Sequence, residues 1–279
     1  MGLPDTTPSS ATLKGMDRSD SQSDPLAQAA ALLGQARRIL VLTGAGISTD
    51  SGIPDFRGPQ GLWTKDPSAE RMATFDVYVS DPDVRRRSWR HRLESSAAQP
   101  QPNAGHRALL ELERRGVLDT LVTQNVDGLH LAVGHDPSRV VEIHGTNSAV
   151  QCLSCGARWP MAAVVERVRQ GEDDPACTEP GGGGGCGGVL KAAVISFGQN
   201  LVPEDLARAE EAALRCDLIL TVGTTLGVYP AAGLVPVARN AGASVVIVNG
   251  DPTELDALAD VVVRGRIGEV LPRLIEASA

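Results

Sequence analysis

The 279-residue chain is 42% hydrophobic and 22% charged, which at ~100–200 residues per domain gives one or two domains with a full core. Its 26 basic against 34 acidic residues leave a net charge of −8, and aromatics make up 3%. Both values argue against a basic nucleic-acid binder or a stacking platform for single strands. No apolar run reaches the ~18 residues of a membrane helix, and the N-terminus shows no signal-peptide core.

Residues 1–24 are rich in Ser, Asp, Thr and Pro and read as a disordered tail. Asp24 as N-cap and Pro25 at the first position start a helix expected to reach Arg38. Residues 39–43 form a short buried strand that opens onto Gly44-Ala45-Gly46-Ile47-Ser48. Further apolar strands are expected at 120–123, 140–143, 192–196, 218–222, 245–248 and 261–263. Helices at 103–115, 203–214, 230–240 and 267–277 separate several of them. This alternation predicts an α/β fold with a parallel sheet covered on both faces. Two stretches, 52–98 and 146–190, break the rhythm and read as insertions forming a smaller domain and a flexible lid.

Gly44-Ala45-Gly46 follows a strand, where glycines let the backbone approach a pyrophosphate. The dinucleotide fingerprint is incomplete: position 49 is Thr, and the acidic residue expected ~20 positions on falls near Asp66, away from any strand end. In Gly52-Ile53-Pro54-Asp55-Phe56-Arg57-Gly58, Arg57 suits a phosphate and Phe56 suits shielding a reactive centre from water. A plain turn with a local Asp55–Arg57 pair fits equally. Thr123-Gln124-Asn125-Val126-Asp127 places polar groups beyond a strand's carboxyl end, where open α/β sheets bind ligands; an N-cap for a helix near Gly128 is the rival reading. Gly223-Thr224-Thr225 and Asn249-Gly250 close later strands in the same way.

Of the five histidines, His144 alone sits at a strand's carboxyl end before a glycine, the place for a general base near neutral pH. His91, His106, His130 and His135 read as surface or satisfied core residues. Five cysteines is an odd count, and four of them cluster: Cys152, Cys155, Cys177 and Cys186. That pattern indicates one tetrahedral zinc in a reducing compartment. A redox CxxC is the rival, weakened because no strand is evident directly before Cys152. Cys216 reads as core. The run Arg85-Arg86-Arg87-Ser88-Trp89-Arg90-His91-Arg92 reads as a solvated helix face. Three lysines against 23 arginines point to a high-GC, bacterial coding sequence.

Together GAGIS, GIPDFRG, TQNVDGLH, HG, the cysteine cluster, GTTLGVYP and VNGDPT resemble, in order, the sirtuin family of NAD-dependent protein deacylases, over about residues 26–277. The resemblance implies a catalytic unit spanning 25–279: a Rossmann-like large domain, with a smaller zinc-binding domain inserted at about 59–102 and 146–190. It implies that Gly44, Ala45, Gly46 and Ser48 line the NAD phosphates, and that Asp55, Phe56 and Arg57 belong to the cofactor loop. Gln124, Asn125 and Asp127 would hold ribose and nicotinamide, with Asn125 also catalytic. Gly223, Thr224 and Thr225 would contact phosphate and ribose, and Asn249, Gly250 and Ile267 the adenosine end. His144 matches the catalytic base, and Zn²⁺ would be structural.

The implied reaction consumes NAD. An acyl-lysine amide oxygen attacks the ribose, nicotinamide leaves, and His144 takes a proton from a ribose hydroxyl. Free lysine and O-acyl-ADP-ribose result. The implied partners are acyl-lysine proteins or peptides, with no membrane and no nucleic acid, in the cytoplasm. Protein ADP-ribosylation and a non-catalytic NAD-sensing scaffold are the alternatives. The substrate strand departs from the family's Pro-Asp-Val-Val-Phe-Phe-Gly-Glu, reading Ala192-Ala193-Val194-Ile195-Ser196-Phe197-Gly198-Gln199. Members preferring acidic acyl chains resemble one another in a Tyr-x-x-Arg pair. Trp89 and Arg92 stand there, and the loss of the phenol predicts that neutral acyl groups are removed faster than succinyl.

Overall fold

The computed structural model describes Gly2, residues 24–55, Gly61, Lys65, residues 69–181 and residues 184–279. The expected tail, apart from Gly2 and Asp24, and the two loop residues Phe56 and Arg57 lie outside the described residues.

The main sheet has six parallel strands: β1 (Ile39–Thr43), β2 (Leu118–Thr123), β3 (Val140–Glu142), β9 (Leu218–Val222), β10 (Ser244–Asn249) and β11 (Val261–Arg264). Their order is β11-β10-β9-β1-β2-β3, so the chain winds outward from β1 in two directions. All five residues of β1 and of β9 are buried. Their unbroken apolar runs follow from helices lying on both faces of the sheet. On one face Ile39, Val41, Leu121 and Leu220 pack with Leu109, Leu112, Leu271 and Leu274. On the other, Leu40, Leu42, Val122 and Ile219 meet Ala209, Ala212 and Val235.

The helices begin where their caps dictate. Asp24 accepts from Leu26 N at 3.1 Å and opens Pro25–Gln35, which ends three residues short of the expected Arg38. Asn103 and His106 form a reciprocal capping box at the start of Ala104–Arg114. The expected helix at 230–240 divides into a 3₁₀ turn, Ala231–Gly233, and the helix Leu234–Asn240. The basic run lies on the helix Pro82–Ser95, with Arg86, Arg87 and Arg90 exposed, while Arg85 turns in to pair with Asp174 at 2.9 Å.

A second sheet is antiparallel: β4 (Gly145–Cys152) lies between β5 (Arg158–Pro160) and β8 (Leu190–Val194), beside a two-residue hairpin of β6 (Pro180–Gly181) and β7 (Gly184–Gly185). Two expectations are corrected here. The strand read at 192–196 begins earlier, at Leu190, and pairs antiparallel with β4 rather than joining the parallel sheet. A strand does run directly into Cys152, because β4 ends on it. This sheet has its own core of Trp89, Val150, Cys152, Val164, Cys177 and Leu190. No helix among the described residues is long and apolar enough to cross a membrane.

His106, His130 and His135 are buried, each with one ring nitrogen lacking a hydrogen-bond partner among the described residues, so they are core residues but not fully satisfied ones. Burial pulls His106 down to about 4, against the opposing charge of Asp127. Between pH 6.5 and about 4 the unfolded chain therefore binds a proton that the folded chain does not. Stability is fully present above pH 6.5 and falls as pH drops through this window, by ~1.4 kcal/mol per pH unit for one such group. Denaturant titrations at pH 7 and 4.5 should show this loss, and His106→Phe should show a smaller one; equal losses in both proteins would contradict it.

Candidate active site

The strand order turns at β1 and β9, and their carboxyl ends open onto a cleft of about 1810 Å³. Open α/β sheets bind ligands at this kind of switch point. The volume exceeds the ~300–1,000 Å³ of a single small-ligand pocket, leaving room for two substrates. From the loop after β1 come Gly44, Ala45, Gly46, Ser48 and Asp55. Gln124, Asn125 and Asp127 follow β2, and His144 follows β3. Gly223, Thr224 and Thr225 follow β9; Asn249 and Gly250 follow β10; Ile267 opens the helix after β11. All fifteen line the same cleft.

The glycines do more than leave room for a ligand. A Cβ on Gly46 would stand 2.8 Å from Gly223 Cα, so the β1 and β9 loops touch backbone to backbone. Leu226, at the next turn, is buried in the left-handed region with φ 57, and its N–H donates to Thr224 Oγ1 at 3.2 Å. Such strain is held where surrounding structure over-determines the loop.

Polar groups on the cleft floor bind one another. Asn125 Nδ2 donates to Gly44 O at 3.1 Å and to Ser48 Oγ at 3.2 Å. Ser48 Oγ donates to Asp127 Oδ2 at 2.7 Å, and Asp127 Oδ1 accepts from Leu129 N at 2.9 Å. Asp127 thus lines the cleft and accepts from the first residue of the short helix Leu129–Ala132, but the N-cap position is Gly128 and carries no side-chain cap bond, so the N-cap reading of the motif is corrected. Gln124 Nε2 donates to Thr224 Oγ1 at 3.0 Å, bridging the loops after β2 and β9.

His144 Nδ1 lies 3.1 Å from Gln124 O. A carbonyl only accepts, so Nδ1 carries the proton and Nε2 keeps its lone pair. Burial lowers its pKa, with the Gln124 bond opposing, so the ring is neutral at pH 7. Gly145, with φ 75, makes the turn out of the histidine, and a Cβ there would strike Ala193 O. His144 O in turn accepts from Ile195 N at 2.8 Å, so the loop after β8 holds the His144 backbone in place.

The sulfurs of Cys152, Cys155, Cys177 and Cys186 all lie within 4.8 Å of one another. Cys152–Cys186 is 3.8 Å and Cys155–Cys177 is 3.6 Å. Tetrahedral zinc at ~2.3 Å from each sulfur requires S···S of ~3.8 Å, whereas a disulfide would need ~2.05 Å. The N–H groups of Ser154 and Cys155 point at Cys152 Sγ, at 3.3 and 3.5 Å, which favours a thiolate. The donor set fits zinc, and the wide 177–186 spacing closes through the β6–β7 hairpin. Cys216 is buried under the main sheet, as expected of a core residue.

Trp89 is wholly buried in the small-sheet core and does not line the cleft. Its indole face therefore meets no acyl chain, and that ground for a neutral-acyl preference is withdrawn. Arg92 does line the cleft, with Tyr78, Asn147 and Lys191, of which composition and motif gave no sign except for Arg92. Arg92 Nη1 donates to Asn147 Oδ1 at 2.8 Å, and Lys191 Nζ to Val194 O. Burial pulls Lys191 down to about 8, aided by the charge of Arg92. Neither cation has a carboxylate partner among the described residues.

The family model described as the Sir2 family matches residues 44–230. The chain is 51% identical over 237 residues to NAD-dependent protein deacetylase 2 of Streptomyces coelicolor, covering 85% of this chain and 96% of the relative. It is 42% identical to NAD-dependent protein deacylase 2 of Pyrobaculum aerophilum, covering 88% and 92%. A solved Sir2 complex with a p53 peptide and NAD⁺ superimposes with a TM-score of 0.76 at 32% identity, covering 88% of this chain and 95% of that one. Sir2Af2 bound to a myristoylated histone peptide gives 0.73 at 34% identity, covering 91% and 96%.

Proposed function

The chain belongs to the Sir2 family, and from that premise we propose that it is an NAD-dependent protein lysine deacylase releasing nicotinamide and O-acyl-ADP-ribose. The observation that carries this is the fixed tautomer of His144: a neutral imidazole, its Nδ1–H spent on Gln124 O, at the edge of the cleft that also holds the loops after β1, β2 and β9. NAD enters as a co-substrate. Gly44, Ala45, Gly46, Ser48, Thr224 and Thr225 bind its phosphates and ribose, and Gln124, Asn125 and Asp127 its nicotinamide end. Asn249, Gly250 and Ile267 bind the adenosine. His144 Nε2 receives the ribose hydroxyl proton. Enclosure in the cleft excludes water, which would otherwise capture the ribosyl centre.

The four cysteines would hold one structural Zn²⁺. With four thiolates it has no open position for a catalytic water, so it braces the insertions at about 59–102 and 146–190, which we read as the smaller domain. Four cysteine thiols so held fit a reducing compartment, and we place the protein in the cytoplasm. Acyl-lysine proteins or peptides are the proposed partners. The test is reaction with acyl-lysine peptides and NAD labelled in the adenine ring. Deacylation with the label in small-molecule acyl-ADP-ribose supports the proposal. Label retained on protein favours ADP-ribosylation, and NAD binding without nicotinamide release favours a sensing scaffold.

Arg92 and Lys191 bear on the acyl chain. A half-buried and a buried cation, Arg92 and Lys191, with no carboxylate partner among the described residues suit an acyl group that ends in one. Succinyl-lysine should therefore be a substrate, and Arg92→Met should cut its kcat/KM by ~10-fold or more, the scale of one lost charge-assisted hydrogen bond. Acetyl-lysine should lose much less. An equal loss on both peptides would show that Arg92 only supports the cleft wall through Asn147.

A further inference from the structure

Beneath the cleft floor, between β1, β2 and the helix Leu129–Ala132, a set of hydrogen bonds has no part in the chemistry above. Thr43 Oγ1 donates to Thr123 Oγ1 at 2.8 Å, and the backbone N–H of Asn125 donates to the same oxygen at 3.1 Å. His130 Nε2 lies 3.0 Å from Thr43 Oγ1. A threonine hydroxyl has one proton to give, and that of Thr43 is committed to Thr123. His130 therefore carries its proton on Nε2 and donates it to Thr43. The path also runs back: Asn125 Nδ2 to Ser48 Oγ, Ser48 to Asp127, and Asp127 to the N–H of Leu129, the residue before His130. The circuit is closed around Asn125.

Keeping a histidine at position 130 has a cost. It is 2% exposed, and its Nδ1 has no hydrogen-bond partner among the described residues. Its ring lies tilted 4.9 Å from that of His106, whose pKa burial pulls down to about 4, and edge-on 5.7 Å from that of His135. An orphaned buried acceptor costs ~1–3 kcal/mol, whereas an apolar ring of the same size would fill the space without that loss. What the imidazole adds over such a ring is the Nε2–H donor to Thr43.

We infer that His130 is a positioning residue: through Thr43 and Thr123 it fixes the backbone of Asn125, and so the side-chain amide at the nicotinamide end of the cleft. The inference rests on the deacylase reading. An error of ~1 Å in such a group can cost ~100-fold, so partial loosening should be readily measured.

The test is steady-state kinetics of the full chain on an acetyl-lysine peptide with NAD varied, alongside calorimetric titration with NAD. His130→Phe keeps the ring and removes the donor. It should lower kcat/KM for NAD about tenfold and leave the peptide KM unchanged. His130→Gln, whose amide can reach Thr43, should restore most of the loss. Thr43→Val should match His130→Phe, and the double variant should be no worse than either single one, because both break the same link. The inference is overturned if His130→Phe stays within twofold of wild type, if the peptide KM moves with it, or if the double variant is additive. Should His130→Phe not fold, Thr43→Val and Thr123→Val carry the same comparison. A wild type that binds NAD but turns nothing over would sink the deacylase reading alone. The inference would then stand or fall on a tenfold weaker NAD affinity in these variants.

Discussion

His144→Ala should lower deacylation by ~10²–10⁴-fold while NAD still binds. The range is the usual contribution of a positioned general base. Three features concentrate that role on one nitrogen. The bond to Gln124 O fixes the tautomer, burial keeps the ring neutral at pH 7, and Gly145 turns the chain so that Ile195 can hold the histidine's own carbonyl. The cavity left by alanine lies at the cleft edge, not in either core, so the fold should persist. Kinetics on an acetyl-lysine peptide together with NAD titration separate the two effects. Turnover within about tenfold of wild type would remove His144 from the chemistry. Loss of NAD binding in step with turnover would make it a binding residue instead.

The second large effect concerns the metal. Purified protein should carry one zinc per chain, and Cys186→Ser should lose it. The smaller sheet would depend on that ion. Its core among the described residues is six buried side chains, two of them the proposed ligands Cys152 and Cys177, and it is also tied down by the Arg85–Asp174 pair and the Tyr78 hydroxyl on Leu190 O at 2.9 Å. Removing the ion leaves sulfurs at 3.6–3.8 Å with nothing between them to hold the hairpin at β6–β7. A thermal midpoint lower by on the order of 10 °C is expected, with deacylation lost as β4 and β8 cease to frame His144. Metal analysis and calorimetry decide it. Zinc content unchanged in Cys186→Ser, or a midpoint unmoved by a chelator that strips the zinc, would contradict the account.

The main sheet was legible because its strands are unbroken apolar runs. Residues 39–43 and 218–222 announce burial on both faces without any tertiary knowledge. The motif residues were legible for a related reason, since each follows such a strand and the parallel winding brings all those ends to one side. The smaller sheet was not. β4 reads GTNSAVQC, with one edge half-exposed, so its polar positions resemble a loop until β8 pairs with it. That non-local pairing also moved 192–196 out of the parallel sheet. Nothing local marks Tyr78 or Lys191, which reach the cleft only because the helices of the first insertion fold against β8. The basic run reads in sequence as a solvated helix face, and the turn of Arg92 toward the cleft emerges only from the helix phase against Asn147. The buried histidines follow the same rule: spacing places His130 in a motif, but only the packing shows which threonine it meets.

Deacylation by this reaction fixes the product stoichiometry. One reaction of the purified chain with an acyl-lysine peptide and NAD should be followed by mass spectrometry of all products. Nicotinamide, free lysine peptide and O-acyl-ADP-ribose should appear in equal amounts, with none of them formed when NAD or the acyl group is omitted. Peptide deacylated without NAD consumption, or ADP-ribose mass added to protein in place of acyl-ADP-ribose, would contradict it.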